Sequence, residues 1–506
     1  MDSPAVTRIF QQLFTRPSRN CLRLQCAHQQ ARLRSASSQL TQQRREYSLR
    51  RKEDEPGGGS TWQQRIDAFP KDMSKQLKEY PRVTAYDLRH RTQRPRRVKM
   101  LTREFIDGTD SLYNPNYGYF TKHATIFNAG QPFDFRSIKD GAEFNRLVDQ
   151  GYIDFEDALD EIEPDETRQL WHTPTELFRP YYGEAIARYL VTNYKMTLFP
   201  YHDLIIYEMG AGNGTLMRNI LDYIYEHEPE VYSRTQFKII EISSSLADLQ
   251  LTSLRRSPYA ADHLGHIQIL HRSIFDWTEY VHSPCFFLAL EVIDNFAHDS
   301  LRYDPETETP LQGSVLIDAD GEFFEFYDRN LDPLASRYLR VREIAARSPI
   351  ITPVTQYPRF VRRLRHALPF APNLSLPEYI PTRLLQFFDI LAAYFPAHRL
   401  VLSDFNYLPP SDTVPGLNAP VVQTRYQRRN VQVSTPFVHQ GFFDIFFPTD
   451  FAIMEDVYRA VTGKLTRVCG HRALLESWAD LRETKTRNGE NPMLSWYGNA
   501  SVMTTV

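Results

Sequence analysis

Two hydrophobic periodicities alternate along the middle of the chain. Leu204-Ile205-Ile206-Tyr207 is a short β-branched apolar run, the pattern of a buried parallel strand. Apolar positions at Met217, Ile220, Leu221 and Ile224 then recur at helical spacing. Phe237 to Ile240, Ile267 to Leu270, Phe286 to Leu290 and Arg399 to Asp404 repeat the strand pattern. Strands separated by helical tracts predict an α/β fold with a mostly parallel sheet, its cofactor-binding core at 201–300. Residues 100–200 read as an N-terminal helical extension. Gly313 to Tyr327 reads as a hairpin turning at Asp320-Gly321. With helical tracts from about Leu334 to Ala346 and Leu384 to Tyr394, it is expected to form an insertion, 301–395, lying over the strand ends as a substrate lid. Val431 to Val433 and Phe442 to Phe447, within 396–455, are expected to complete the sheet as antiparallel strands. Residues 456–506 read as a C-terminal tail.

The first strand runs into Glu208-Met209-Gly210-Ala211-Gly212-Asn213-Gly214-Thr215-Leu216. Strand, glycine loop and helix in this order make a nucleotide-type site. The glycines let the backbone turn and approach a ligand, and the helix N-terminus offers free N–H donors. A dinucleotide site would space its glycines as Gly-x-Gly-x-x-Gly; here they fall at 210, 212 and 214. The spacing favours S-adenosyl-L-methionine, with its carboxylate at the helix N-terminus and its ammonium at Glu208. Glu241, ending the second strand, is placed to accept the ribose hydroxyls. Ile274 and Phe275 would wall the adenine, while Asp276 either bonds the exocyclic amine or caps a helix. The fourth strand ends in Glu291-Val292-Ile293-Asp294-Asn295. Ligands of open α/β sheets bind at the strands' carboxyl ends, so Glu291 and Asp294 fall on the methyl acceptor. A carboxylate there could orient a guanidinium or accept its proton; the bland alternative is a turn cap and a surface acid.

Charge adds an address. Residues 1–47 carry eight arginines, no lysine and two acids, a net of +6. Subtracting this from the overall −3 leaves −9 on the remainder, which gives no electrostatic reason for general nucleic-acid binding. The Arg-rich, acid-poor stretch from Ser3 to Arg45 has the composition of a mitochondrial transit peptide, with cleavage expected after Tyr47; a basic tail is the alternative. Residues 48–99 read as a linker and basic arm. Cys21, Cys26, Cys285 and Cys469 show neither a disulfide framework nor zinc-ligand spacing. No stretch reaches the roughly 20 apolar residues of a membrane span.

These segments resemble the MidA-like family of class I methyltransferases, which includes the complex I assembly factor type of protein arginine methyltransferase. The likeness begins at Ser111 to Phe120, which looks like "LYxPxYGYY". It continues at Thr173-Pro-Thr-Glu176 with Phe178 and Gly183-Glu184, similar to "TPE…FGE". Glu208 to Leu216 matches "ExGAGxGTL", and Glu241-Ile-Ser243 with Gln250 matches "ExSxxLxxxQ". The acceptor-side "NExxDA" appears as Leu290-Glu291-Val292-Ile293-Asp294-Asn295, and "DYG" becomes Asp404-Phe405-Asn406. The resemblance implies a Rossmann-like class I methyltransferase sheet and S-adenosyl-L-methionine as cofactor. It also implies a mitochondrial matrix location and a protein substrate, expected to be arginine on a complex I subunit. A non-catalytic assembly factor and a mitochondrial RNA methyltransferase are the alternative readings.

Overall fold

The computed structural model describes residues 73–89, 91–106, 119, 124–255, 257–356, 358, 360–361, 372–408 and 414–506. The proposed transit peptide, its cleavage site and most of the Ser111–Phe120 element lie outside these residues. Contacts divide the chain into two units, and the features below belong to the larger, which includes residues 80–506. In the other unit, Ser74–Glu79 forms one short helix.

The strands recognised by their apolar runs form one sheet. They are β1 (Leu204–Met209), β2 (Thr235–Glu241), β3 (Ile267–His271), β4 (Cys285–Leu290) and β5 (His398–Phe405), joined by β6 (Thr466–Gly470) and β7 (Ala500–Thr505). The order is β3-β2-β1-β4-β5-β7-β6. β1 to β5 pair in parallel, and β7 runs antiparallel to both β5 and β6. After β3 the chain returns to the other side of β1, so the strand order reverses there and opens a crevice at the carboxyl ends of β1 and β4. This is the Rossmann-like class I sheet expected from the sequence.

Alternation along each strand gives both faces a helical layer. Leu204, Ile206, Phe286, Leu288 and Val502 face a core built with α2 (Tyr181–Thr197), α3 (Thr215–His227) and α8 (His471–Trp478). Ile205, Tyr207, Phe287, Leu402 and Met503 face the core of α5 (Pro333–Ala345), α6 (Thr382–Tyr394) and α7 (Phe451–Thr462). Two helices complete the framework: α1 (Gly141–Ile162), before the sheet, and α4 (Ser244–Leu254), after β2.

Three expectations are corrected by this arrangement. The tract Leu384–Tyr394 is not lid: as α6 it buries Leu384, Leu385, Phe387, Phe388 and Leu391 against the sheet. Val431–Val433 and Phe442–Phe447 do not complete that sheet; they contribute to a separate three-stranded one of Arg429–Gln432, Val421–Tyr426 and Asp444–Phe446. The main sheet is completed by β6 and β7, from the region read as a tail. Ser501, Thr504 and Thr505 interrupt the apolar run of β7, although all six of its residues are buried. The basic arm also ends in structure, since Val98–Leu101 pairs with Pro310–Ile317.

Pro310–Ile317 does form the expected hairpin, pairing with Phe323–Asp328. The Asp318 carboxylate accepts the N–H groups of Asp320, Gly321 and Glu322 at 2.8–2.9 Å, and Gly321 takes φ +95°. With Asp299–Tyr303 and Glu378–Ile380 these strands make a second sheet.

Candidate active site

β1 is buried at every position and delivers Glu208 to the crevice. Gly210, Gly212 and Gly214 follow in left-handed conformations, φ +72°, +52° and +73°. A Cβ on Gly212 would stand 2.7 Å from Ile126 Cδ1, and one on Gly210 2.9 Å from Val292 Cγ2. The left-handed φ therefore favours glycine at both positions, and a Cβ would also have to displace the neighbouring side chain. Gly214 caps α3 without a side chain, leaving the first N–H groups of that helix to be met by a ligand.

The loop is anchored from outside the motif. Thr173 caps the Pro174–Leu177 helix by accepting the Glu176 N–H at 3.3 Å, which fixes Glu176. Its buried carboxylate accepts Thr215 Oγ1 at 2.7 Å and Asn213 Nδ2 at 3.0 Å, and pairs with buried Arg179 at 3.2 Å. Gln250 on α4 donates to Gly212 O at 3.1 Å and to Glu241 Oε2 at 2.8 Å. Neither Glu176 nor Gln250 was expected at the site. Each lies in a segment that carried the family resemblance, which was the available signal.

Around this loop lies a cavity of about 360 Å³ lined by Glu208, the glycine loop, Glu241, Ile274, Phe275, Glu291 and Asp294, among others. Glu208 is buried, its Oε2 has no partner, and burial together with the charge of Glu241 pushes its carboxyl up to about 8. Glu241 accepts Ser243 N at 2.9 Å as well as Gln250; burial raises its pKa, partly offset by those bonds. Asp276 departs from expectation. It is absent from the lining, is half exposed, and faces Arg89 at 3.6 Å. It ends the Ile274–Asp276 turn, so Ile274 and Phe275 face the cavity while Asp276 faces outward.

The end of the cavity beyond β4 is more acidic than the sequence suggested. Glu291 sits just beyond β4 at φ +56°, a strained conformation for a residue with a Cβ, and donates its N–H to Ser403 O at 2.8 Å. Asp294 is buried, and its Oδ1 has no partner. The turn carrying it is held by Asp404 at the end of β5, whose Oδ2 accepts the N–H groups of Ile293 and Asp294 at 3.0 and 3.1 Å. Asp444, from the three-stranded sheet, also lines the cavity. Asp444 escaped the sequence reading because it is distant in sequence and in another sheet, while Asp404 was read only as a strand end and as the first residue of the altered "DYG" element. Burial first, then Asp404, raises Glu291 well above the usual carboxylate range. Burial first, then Asp404, Asp444 and Glu291, does the same to Asp294. Burial lifts Asp404 and Asp444 to about 7.

Among the described residues, no cluster of His, Cys, Asp and Glu is arranged to hold a metal ion. No helix among them is long and apolar enough to cross a membrane.

Comparison with known proteins finds a mitochondrial protein arginine methyltransferase NDUFAF7 homolog of Schizosaccharomyces pombe. It is 27% identical over 314 residues, covering 60% of this chain and 65% of the relative. The homolog of the same name in Saccharomyces cerevisiae is 23% identical over 350 residues, covering 64% of this chain and 77% of the relative. The chain thus spans just under two thirds of the fission-yeast relative. A Burkholderia thailandensis crystal structure bound to S-adenosyl-homocysteine aligns over 81% of this chain and 88% of its own, with 14% identity and a TM-score of 0.49. A family profile of S-adenosyl-L-methionine-dependent methyltransferases matches residues 185–469, from α2 through the β6 strand. That match covers more than half of the sequence, and the chain belongs to this MidA-like family of S-adenosyl-L-methionine-dependent methyltransferases.

Proposed function

We propose that the protein is an S-adenosyl-L-methionine-dependent methyltransferase of mitochondria whose acceptor is an arginine side chain on a protein, a respiratory complex I subunit. The observation that carries the reading is the unpartnered, buried Asp294 Oδ1 in the same cavity as the glycine loop. One end of the cavity suits the cofactor and the other suits a cation.

The cofactor end fits on its own chemistry. The glycine loop borders the cavity in left-handed turns, α3 presents uncapped N–H donors, and Glu208 Oε2 lacks a partner. Glu208 would hold the cofactor's ammonium, Glu241 its ribose hydroxyls, and Ile274 and Phe275 its adenine. Bound there, the cofactor supplies an electrophilic methyl group on a sulfonium sulfur.

Glu291 and Asp294 serve the acceptor. Their carboxylates orient the guanidinium by charge-assisted hydrogen bonds and take the proton that the acceptor nitrogen must lose. The buried wall around them excludes water, so acceptor alignment contributes to the rate.

The test begins with calorimetric titration of S-adenosyl-L-methionine into the full chain and into Gly212→Asp. Saturable binding lost in the variant is expected. Transfer of a labelled methyl group to complex I subunits is then mapped by mass spectrometry, with Glu291→Gln as the comparison. Methylation on arginine that Glu291→Gln abolishes is the expected result. Cofactor binding with no transfer to arginine would overturn the acceptor assignment.

A further inference from the structure

Asp444 belongs to neither the cofactor motif nor the Rossmann-like sheet. It opens the Asp444–Phe446 strand of the three-stranded sheet, yet it is buried and lines the cavity. Three bonds join that sheet to the turn carrying Asp294. Asn295 Nδ2 donates to Asp444 Oδ1 and to Ile445 O, both at 3.2 Å, and Phe447 N donates to Asp294 O at 2.8 Å. Asp294, on the turn after β4, and Asp444, in the three-stranded sheet, are thereby brought close enough for their charges to act on each other. Asp294 Oδ1, on a residue only 7% exposed, has no partner within the protein.

The charges that bear most strongly on Asp294 are all acidic: Asp404 on β5, Asp444 in the three-stranded sheet, and Glu291 after β4. Two lining bases, Arg272 and Arg383, are engaged elsewhere, with Glu279 at 2.9 Å and Gln386 at 2.8 Å. Carboxylates gathered away from water need either retained protons or a cation from outside.

We propose that Asp294 and Asp444 form a two-carboxylate clamp for the acceptor, with Asp444 determining selectivity for a planar guanidinium over an ammonium. The inference rests on the function proposed above. A guanidinium presents five N–H donors in one plane and is weakly hydrated, so it can meet acceptors from two walls of a dry pocket. An ammonium is a compact, strongly hydrated point charge and loses more on entering. Asp404 is a positioning residue, acting through the two N–H groups that fix the Asp294 turn.

The experiment uses the full chain saturated with S-adenosyl-homocysteine and three peptides that differ at one position: arginine, lysine or citrulline. Calorimetry is expected to give binding of the arginine peptide alone. Asp444→Asn should weaken that binding about tenfold or more, ~1.4 kcal/mol, and reduce the preference over lysine. Its affinity for S-adenosyl-homocysteine should stay unchanged, and its unfolding midpoint should not fall. A pH series on the unaltered chain requires no variant. Arginine-peptide affinity should rise between pH 6 and 8, as the carboxyls lose protons the cation would displace.

An affinity flat over that range overturns the clamp. So does an Asp444→Asn chain that keeps wild-type affinity and arginine preference while methylation persists, an outcome that leaves the proposed function standing. Homocysteine-analogue binding with no arginine-peptide binding in the unaltered chain would remove the acceptor reading and the clamp together.

Discussion

Replacing Glu176 by glutamine isolates one charge at the hub of the cofactor loop. The residue is 3% exposed and Arg179 4%, so the pair has almost no water to fall back on. Glutamine keeps the volume but exchanges one acceptor oxygen for a donor. If the amide oxygen stays toward Thr215 and Asn213, its NH₂ confronts Arg179 Nη1, donor against donor. If the amide flips, Thr215 and Asn213 lose their acceptor. In either orientation a buried guanidinium loses its counter-charge, which typically costs about 3–5 kcal/mol. Arg179 keeps Asn128 Oδ1 at 3.0 Å and Gly130 O at 2.8 Å, which places the expected loss near the lower end, about 3 kcal/mol.

Urea unfolding at constant slope measures this, with Glu184→Gln as the control. Glu184 pairs with Arg188 at 3.1 Å, but both side chains retain about a quarter of their exposure, so its loss should stay below about 1 kcal/mol. Because Thr215 and Asn213 belong to the cofactor loop, Glu176→Gln should also weaken S-adenosyl-L-methionine about tenfold, ~1.4 kcal/mol. Equal unfolding curves for Glu176→Gln and its control, with unchanged cofactor affinity, would refute the hub.

Glu208 has a folded pKa raised to about 8, so its bound proton stabilises the cofactor-free fold, and that contribution is lost as pH rises through about 8. Thermal unfolding of the unliganded chain between pH 6 and 8.5 should therefore decline more steeply than in Glu208→Gln, whereas wild-type cofactor affinity should increase over that range. Gly212→Ala forces a left-handed alanine with its Cβ against Ile126; ~1–2 kcal/mol of backbone strain implies about a tenfold or greater loss of cofactor affinity by calorimetry. Asp276→Asn removes only an exposed ion pair outside the cavity, and the same titration should remain within about twofold of wild type. Asn295→Ala severs the side-chain bonds to Asp444 and Ile445, and should impair acceptor binding while S-adenosyl-L-methionine binds normally.

The cofactor end of the site was legible because its residues are local. Glu208, Gly210, Gly212, Glu241 and Ile274 follow strand ends that announce themselves as apolar runs, and all line the cavity, while Gly214 caps α3. Asp276 failed at one-residue resolution: in a tight turn, adjacent side chains point in different directions, and no periodicity says which faces inward. β7 failed because its hydroxyl residues read as polar, although Thr505 Oγ1 satisfies itself against Leu400 N at 2.7 Å and can be buried. α6 was assigned to a lid because its apolar positions show a buried helix without naming the surface that buries it. The placing of Asp444, and the relation of Asp404 to Asp294, lay beyond sequence reasoning for a similar reason, since both exist only after the main sheet has formed and the three-stranded sheet has packed beside it.

That dependence separates the two halves of the chemistry. The proposed cofactor end is assembled from one strand–loop–helix unit and its neighbours, with Glu176 and Gln250 as braces. The acidic pocket needs β4 for Glu291 and Asp294, β5 for Asp404 and the three-stranded sheet for Asp444. A carboxylate group this crowded does not stabilise the empty fold; mutual repulsion and burial both favour protonation, as the raised pKa values show. Its persistence is understandable if an incoming cation relieves the repulsion and releases a proton on binding. The carboxyls that line the cavity, Glu291, Asp294 and Asp444, would then supply selectivity when ionised and receive the acceptor's proton during transfer. Under the proposed function, acceptor recognition and proton removal become one electrostatic property of the pocket, and substitutions that alter its charge should change both together.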